Sequence, residues 1–289
     1  MPRTRKTVGY ALIAPAFVSL FLMTIYPLAY VVFVSLHHWA IVPLIPRVFV
    51  GFQQYISLFR DSGFYQSVSA TLVYTCAAVA AEMLLGFLLA WLIAKTRMLW
   101  IRLLYLLPAV TTPVVVGLIW RFFLAYNLGP INYFLSSVGL GRVNWLGGST
   151  AALMSIILVD IWQWTPFTLL IFLSGLESLD ADPYEAAVVD GASGWQILRY
   201  VTLPLLLPVA TVILLFRLLD AFKTFDIIYM VTGGGPANST EVLSYKIWHT
   251  AFFQNRIGYA AALSIVTVVI AALLLRSLIQ VMRNAIHGR

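Results

Sequence analysis

The sequence predicts an all-α membrane protein, and two observations lead to this fold class. Of the 289 residues, 61% are hydrophobic and only 10% are charged, whereas a soluble domain carries about 25% charged residues. The apolar residues are also gathered into long blocks instead of being spread evenly. Several blocks reach the roughly 20 residues that a helix needs to cross the hydrocarbon core of a bilayer.

Six transmembrane helices are predicted from these blocks. The first block, residues 8–36, is much longer than the roughly 7–15 apolar residues of a signal peptide, so we expect it to stay in the membrane. No connection between blocks has the composition of a separate soluble domain, and residues 1–289 are therefore expected to form one transmembrane domain. The predicted spans are residues 8–36, 64–94, 103–125, 151–176, 204–230 and 257–275.

The orientation follows from the basic residues outside the spans. Ten of them fall on the side that holds both termini, and five fall on the opposite side. Cytoplasmic loops carry the excess of Lys and Arg, so both termini are predicted to be cytoplasmic. The short connection from Lys95 to Arg102 is the clearest single marker. The net charge of +7 is thus attributed to membrane anchoring, and no nucleic-acid partner is expected.

The predicted cytoplasmic loop, residues 177–203, is unusual because it holds five acidic residues and only one basic residue. Helix-forming residues run through Pro183–Asp190 and end at Gly191, a favoured residue at helix ends. A second helical stretch, Ser193–Val201, leads to Pro204, which is tolerated in the first turn of a helix. The loop therefore predicts a helix, a sharp turn and a second helix, a shape suited to docking in a groove of a partner.

In this loop the sequence resembles the EAA loop of ABC-importer permeases. It contains Glu185-Ala186-Ala187, three residues, Gly191, nine residues and then Val201-Thr202-Leu203-Pro204; the family pattern has isoleucine where Val201 stands. In that family the loop is a coupling helix that sits in a cleft of a separate ATPase subunit. The resemblance implies this role for Glu185, Ala186, Ala187, Asp190, Gly191, Leu203 and Pro204.

The resemblance is strongest to the carbohydrate branch of the family, which includes maltose, trehalose and glycerol-3-phosphate permeases. It runs along almost the whole chain and includes residues 50–55, 216–226, 232–236 and 258–262. It implies a type I ABC-importer permease fold in a bacterial or archaeal cell membrane, and transport by alternating access. It also implies three partners: a second permease subunit in a heterodimer, two copies of an ABC ATPase, and an extracytoplasmic solute-binding protein.

No ATP-hydrolysing motif is present in the sequence. The lysine of a Walker A motif follows a glycine, but none of the four lysines, Lys6, Lys95, Lys223 and Lys246, does so. We therefore expect that the chain is not an enzyme and binds no cofactor, and that ATP and magnesium are used by the partner ATPase. No catalytic or metal-ligating set is predicted, and the single cysteine, Cys76, excludes a cysteine-based metal cluster.

The fifth predicted span contains four charged residues that alternate in sign at steps of three: Arg217, Asp220, Lys223 and Asp226. Residues three apart are neighbours on a helix surface. Ionisable residues within a membrane pair with one another or face a cavity. The set is either a self-neutralising group of ion pairs or a group that binds a polyhydroxylated substrate, and the sequence leaves both open.

The fourth predicted span adds Asp160, Trp162, Gln163 and Trp164. Aromatic faces beside polar groups suit a sugar, whose ring stacks while its hydroxyls form hydrogen bonds. The alternative is that the aromatic side chains pack between helices and that Asp160 pairs with a neighbouring group. Tyr229 completes the candidate substrate pathway, whereas Glu82 is expected to be a buried ionic partner without a substrate role.

The sequence therefore predicts a permease subunit that moves a di- or oligosaccharide. A glycerol-3-phosphate permease is one alternative, but a phosphate ester requires unpaired basic groups, and Arg217 and Lys223 each have an acidic neighbour. An ion-driven secondary transporter is another, with the alternating charges as an ion relay. That alternative does not explain the spacing of Glu185, Gly191 and Pro204.

Overall fold

The computed structural model describes residues 2–40, 47–94 and 99–287, and the side chains of these except residues 2–9, 11, 99–104, 281 and 283–287. Most of the described chain is helical. Three five-residue π-helical segments, Phe21–Ile25, Leu198–Thr202 and His249–Phe253, continue neighbouring helices. The elements are α1 (Pro2–Leu20), α2 (Tyr26–Ser35), β1 (His37–His38), β2 (Val48–Phe49), α3 (Gln53–Arg60), α4 (Ser62–Ile93), α5 (Leu99–Val110), α6 (Pro113–Phe123), α7 (Pro130–Ser137), α8 (Ser149–Glu177), α9 (Asp182–Val189), α10 (Gly194–Ile197), α11 (Leu203–Phe222), α12 (Asp226–Val231), α13 (Leu243–Trp248) and α14 (Ile257–His287).

Five helical segments in the described part of the chain are long and apolar enough to cross a membrane. They match the predicted first, second, fourth, fifth and sixth spans, and the prediction of an all-α membrane protein is confirmed. The segments are Leu12–Ser35, Ser62–Ile93, Ser149–Glu177, Gly194–Phe222 and Ile257–Gln280.

The predicted third span, residues 103–125, is divided into two helices. α5 ends at Val110 and α6 begins at Pro113. Thr112 between them is extended, with φ −63° and ψ 139°, because a proline disfavours the helical conformation of the residue before it. The amide of Gln163 donates to the carbonyl oxygen of Thr111 at 3.1 Å, so the break is supported by a side chain from α8.

Two further helix ends differ from the prediction. The predicted fifth span, residues 204–230, is interrupted because α11 ends at Phe222 and α12 begins only at Asp226. The last helix runs to His287 instead of ending at residue 275. The markers of orientation, Lys95 and Arg97, lie outside the described residues, so the cytoplasmic location of both termini stays a prediction.

The chain divides into two compact units, of which the first comprises Met1–Phe64 and Ile247–Ile270. Its β1–β2 ribbon pairs His37 with Phe49. The backbone N–H of Gly258, in the first turn of α14, donates to the carbonyl oxygen of Trp39 at 3.2 Å. A Cβ at Gly258 would collide with the carbonyl oxygen of His37, so only glycine permits this approach.

The second unit comprises Tyr65–Lys246 and Ala271–Arg289, and its core lies where α4, α8 and α11 meet. Thr168 on α8 is fully buried, and its hydroxyl donates to the carbonyl oxygen of Glu82 on α4 at 3.0 Å. These helices hold the residues discussed below, whereas the prediction of a single membrane domain stays a prediction. The core residues are Ala90, Ile93, Leu169, Phe172, Leu173 and Ile213.

Replacement of Gly86 by alanine should destabilise the second unit. A Cβ at position 86 would lie 2.8 Å from the Cβ of Thr168 and 3.0 Å from the backbone nitrogen of Leu169, so α4 and α8 would have to separate. Overpacking of this kind costs about 1–3 kcal/mol. We expect a lower thermal midpoint in detergent for Gly86→Ala. Gly194→Ala is the control, since nothing lies within 4 Å of its Cβ; equal midpoints for both variants would contradict the proposed close packing.

Candidate functional site

The guanidinium of Arg217 is the centre of a buried ionic network. Arg217 on α11 is 1% exposed and Glu82 on α4 is fully buried. The Nε atom of Arg217 donates to Oε2 of Glu82 at 2.6 Å, and Nη2 donates to Oε1 at 2.9 Å. This two-point arrangement matches the fork of the guanidinium to both oxygens of one carboxylate, the strongest geometry for such a pair.

Two further carboxylates complete the network. Nη2 of Arg217 also donates to Oδ2 of Asp160 on α8 at 2.9 Å. Nη1 donates to Oδ2 of Asp220, one turn further along α11, at 2.9 Å. The side chain of Asp160 is 3% exposed, whereas that of Asp220 is 39% exposed. One cation therefore connects three helices. It links the buried carboxylates of Glu82 and Asp160 to the partly accessible carboxylate of Asp220.

A cavity of about 350 Å³ opens beside the network. The indole ring of Trp164 lies 4.8 Å from the guanidinium carbon of Arg217, within the range of a cation–π contact. The side chain of Lys223 is 74% exposed, and its Nζ lies 3.4 Å from Oδ1 of Asp220. The cavity therefore combines an aromatic wall with a pair of accessible charges. Its lining residues are Trp164, Phe167, Phe216, Arg217, Leu219, Asp220 and Lys223.

The residues predicted from the fourth span separate in the structure. Asp160 contacts Arg217 and does not line the cavity, whereas Trp164 lines it. Trp162 packs edge-on against Trp120 of α6 at a ring distance of 5.4 Å, and the buried side chain of Gln163 bonds to the α5–α6 break. The separation follows from the helix, in which residues two apart point in nearly opposite directions.

The remaining predicted pathway residues lie beyond the end of α11. Asp226 is in the first turn of α12, whereas Arg217 and Asp220 are on α11 and Lys223 follows its end. The four alternating charges therefore do not lie on one helix. Tyr229 is 38% exposed, and its ring stacks on Phe225 at 5.4 Å. Phe225 also stacks on Tyr245 at 6.2 Å, and burial raises the pKa of Tyr245 above its ordinary value of 10.0. These three rings form a second aromatic cluster.

Phe167 and Phe216 were not among the site residues predicted from the sequence, and Glu82 was predicted to be a buried ionic partner without a substrate role. Phe167 follows Trp164 by three residues and Phe216 precedes Asp220 by four, so helical spacing alone could have placed both on the cavity side. Glu82 is 135 residues from Arg217 in sequence. Its pairing depends on how α4 packs against α11, which local spacing does not reveal.

The predicted coupling loop forms a helix, a turn and a second helix. α9 contains Glu185, Ala186 and Ala187, and Asp190 follows it. Gly191 has φ +77°, a conformation that favours glycine over residues with a Cβ. Leu203 and Pro204 begin α11. The loop thus connects directly to the helix that carries Arg217 and Asp220.

Two polar contacts hold the loop in shape. Ser193 and Gln196 form a capping box at the start of α10, in which the backbone N–H of Ser193 donates to Oε1 of Gln196 at 2.7 Å. The hydroxyl of Tyr184 on α9 donates to that of Thr202 at 3.2 Å. The loop nevertheless exposes large apolar side chains that the sequence analysis did not single out. They are Val188 (64% exposed), Val189 (86%), Trp195 (66%) and Tyr200 (68%).

The chain is similar to a described protein family and to several named relatives. Residues 82–285 match the family described as "Binding-protein-dependent transport system inner membrane component". A probable ABC transporter permease, y4oQ of Sinorhizobium fredii, is 42% identical over 76% of this chain and 72% of its own length. The trehalose/maltose permease MalF of Thermococcus litoralis is 36% identical over 77% and 76%. The sulfoquinovosyl glycerol permease SmoG of Agrobacterium fabrum is 34% identical over 90% and 85%.

Solved structures show the same fold. One is a bacterial alginate ABC transporter in complex with its alginate pentasaccharide-bound periplasmic protein; a chain of it matches with a TM-score of 0.85 and 23% identity, covering 98% of this chain and 96% of that chain. A second structure of a bacterial alginate importer matches with a TM-score of 0.83 and 24% identity, covering 97% and 96%. The predicted permease fold is therefore confirmed.

Replacement of Arg217 by methionine should strongly destabilise the protein. The variant keeps an unbranched apolar stem but leaves Glu82 and Asp160 buried without their cation, which costs about 3–5 kcal/mol. We expect a large loss of monodisperse protein in size-exclusion chromatography and a lower thermal midpoint. Lys223→Met is the matched control: its exposed ion pair is worth at most about 1 kcal/mol. Equal behaviour of the two variants would show that the network does not hold the helices together.

Proposed function

The chain belongs to the family of binding-protein-dependent transport system inner membrane components, and we propose that it moves a neutral di- or oligosaccharide across the membrane as one permease subunit of an ABC importer. As a member of this family it is a multi-pass membrane permease and is not itself catalytic. The proposal concerns its substrate and its partners.

The observation that carries the sugar assignment is the cavity beside Arg217. Its wall contains the rings of Trp164, Phe167 and Phe216, and its rim contains the carboxylate of Asp220 and the ammonium of Lys223. Aromatic faces accept the apolar face of a sugar ring, and the charged groups accept or donate hydrogen bonds to its hydroxyls. Relatives named as trehalose/maltose and multiple-sugar permeases support the same substrate class.

The charges of the cavity favour a neutral sugar over an anion. Three carboxylates, those of Glu82, Asp160 and Asp220, surround the guanidinium of Arg217, and Asp220 also approaches Lys223. A phosphate ester or a uronate would need a cation that is not already neutralised. This argues against the alternative of a glycerol-3-phosphate substrate.

The exposed coupling loop supports an ATPase partner. Val188, Val189 and Trp195 present apolar surface to solvent next to the tight turn at Gly191, and apolar patches of this kind mark sites of protein association. Glu185, Ala186, Ala187, Asp190, Gly191, Leu203 and Pro204 would form the docked element. ATP and magnesium would be bound by two copies of that ATPase, whereas this chain would bind no cofactor.

Two further partners belong to the proposal. A second, related permease would complete the solute path, and an extracytoplasmic solute-binding protein would deliver the sugar. The family description names dependence on a binding protein, and the matching alginate transporter was solved with its periplasmic protein. ATP binding would draw the coupling loops together and open the cavity outward, and hydrolysis would reverse the change.

Affinity purification of the tagged chain in mild detergent, followed by mass spectrometry, tests the assembly. We expect a P-loop ATPase and a second permease in the purified complex, and import of neutral disaccharides once the complex and its binding protein are reconstituted in liposomes. Recovery of this chain alone, still able to transport, would contradict the proposed assembly. Import of sugar phosphates in preference to neutral sugars would contradict the substrate class.

Replacement of Gly191 by valine should uncouple transport from ATP hydrolysis. A β-branched residue at φ +77° is strained by about 1–3 kcal/mol, so the turn between α9 and α10 should change shape. We expect the complex to assemble while sugar import and the stimulation of ATP hydrolysis by the loaded binding protein both fall more than tenfold.

Gly139→Val is the control for Gly191→Val. Gly139 also has a positive φ, +81°, also follows a helix end, and has nothing within 4 Å of its Cβ, so the local strain is matched while the coupling loop is untouched. We expect import by Gly139→Val to stay within twofold of the wild type. Normal import by Gly191→Val would remove the coupling role of this turn.

A further inference from the structure

Glu82 does not line the cavity, yet it accepts two hydrogen bonds from a residue that does. Its two oxygens accept from Nε and Nη2 of Arg217 at 2.6 and 2.9 Å. Two parallel hydrogen bonds to one carboxylate fix the plane of a guanidinium. The two other bonds of the Arg217 guanidinium, from Nη2 to Asp160 and from Nη1 to Asp220, go to separate carboxylates with one bond each. Glu82 is fully buried on α4, so it is itself held by the packing of that helix.

The orientation of the Arg217 guanidinium in turn places two groups of the cavity wall. Its Nη1 edge holds Oδ2 of Asp220 at 2.9 Å, and the guanidinium carbon lies 4.8 Å from the Trp164 ring. Rotation of the guanidinium plane would therefore release the carboxylate and change the position of the indole ring. A shift of about 1 Å in a binding group is sufficient to weaken recognition substantially.

Neutralising Arg217 does not by itself require Glu82. Asp160 already provides a buried carboxylate at 2.9 Å from Nη2, and one carboxylate balances one guanidinium. A second buried carboxylate adds a desolvation cost of several kcal/mol and leaves the network with more negative than positive charges. The two-point geometry of Glu82 is the property that Asp160, with one hydrogen bond to Arg217, does not supply.

We propose that Glu82 is a positioning residue for sugar recognition: through Arg217 it fixes the Asp220 carboxylate and the Trp164 ring relative to each other. The inference rests on the proposed function of the cavity as the sugar site, and it adds a residue outside that cavity to the determinants of affinity.

The test measures sugar affinity for the assembled transporter without its binding protein. The complete transporter is purified in lipid nanodiscs, and equilibrium binding is measured for a panel of radiolabelled neutral di- and trisaccharides that includes maltose and trehalose. Affinity is expressed per assembled complex, so a loss of folded protein does not change it. The thermal midpoint of each sample is recorded in parallel.

Two substitutions of Glu82 separate positioning from charge. Glu82→Gln keeps the shape of the side chain but replaces one carboxylate oxygen by an NH2 group, so that a donor faces a donor of the Arg217 guanidinium. Glu82→Asp keeps the charge but is shorter by one methylene, so it cannot reach both Nε and Nη2 in the same geometry. We expect Kd to rise at least tenfold for Glu82→Gln and at least fivefold for Glu82→Asp. Asp220→Asn, within the cavity, should produce an increase at least as large.

Glu241→Gln is the matched control. Glu241 is another buried carboxylate of the second unit, 5% exposed and 3.5 Å from Nζ of Lys246, and it does not line the cavity. Its replacement removes a buried charge of similar accessibility, so it is expected to change the thermal midpoint while Kd stays within twofold of the wild type.

The outcomes distinguish the positioning role from the function on which it rests. If the wild-type complex binds sugar and both Glu82 variants bind it within twofold as tightly, the positioning role is overturned and the sugar site stands. If neither Glu82 variant assembles, Glu82 is structural and the positioning role is overturned as well. If the wild-type complex binds none of the sugars, the proposed function itself fails, and the positioning role fails with it.

Discussion

A guanidinium buried in a membrane protein has to be matched by carboxylates, and Arg217 obtains them from three different helices. It is 1% exposed and contacts Glu82 on α4, Asp160 on α8 and Asp220 on its own helix α11. A buried charge without a partner costs several kcal/mol, so the packing of α4, α8 and α11 and the pairing of these side chains depend on each other. The cavity lies beside this meeting point, which explains why its wall is built from α8 and α11.

The sequence predicts part of this arrangement and not the rest. Arg217 and Asp220 are one turn apart, so their pairing follows from helix geometry. A helix that begins near residue 204 follows from the apolar run, although the predicted span, residues 204–230, extends beyond the end of α11 at Phe222. The partner on α4 does not follow, because 135 residues separate Glu82 from Arg217 and only tertiary packing brings them together. Trp162 is a different case, because a run of similar residues suggested one site although local helical geometry directs Trp162 and Trp164 apart.

Breaks within a helix were also harder to predict than the presence of a transmembrane helix. Thr111-Thr112-Pro113 divides the third apolar block, and the signal was present, because a proline disfavours helix at the residue before it. Hydrophobicity over a long window averages across such a break. The coupling loop behaved differently: its helix, turn and helix were expected from glycine and proline positions, which act locally. Its exposed Val188, Val189 and Trp195 were not singled out, because exposure depends on the surrounding fold.

Helix α11 connects the coupling loop to the cavity beside Arg217. The helix begins at Leu203, directly after the coupling loop, and ends at Phe222. Asp220 lies in its last turn, and Lys223 follows the end of the helix. Its 20 residues correspond to about 30 Å at 1.5 Å per residue. If a helix of this length moves as a rod, displacement of the loop at one end would shift Arg217 and Asp220 at the other. Because Glu82 and Asp160 are on different helices, such a shift would strain their hydrogen bonds to Arg217. The positions of Arg217 and Asp220 in the cavity wall would then change. The network that stabilises the bundle is thus also the element through which movement of the loop would reach the proposed sugar site.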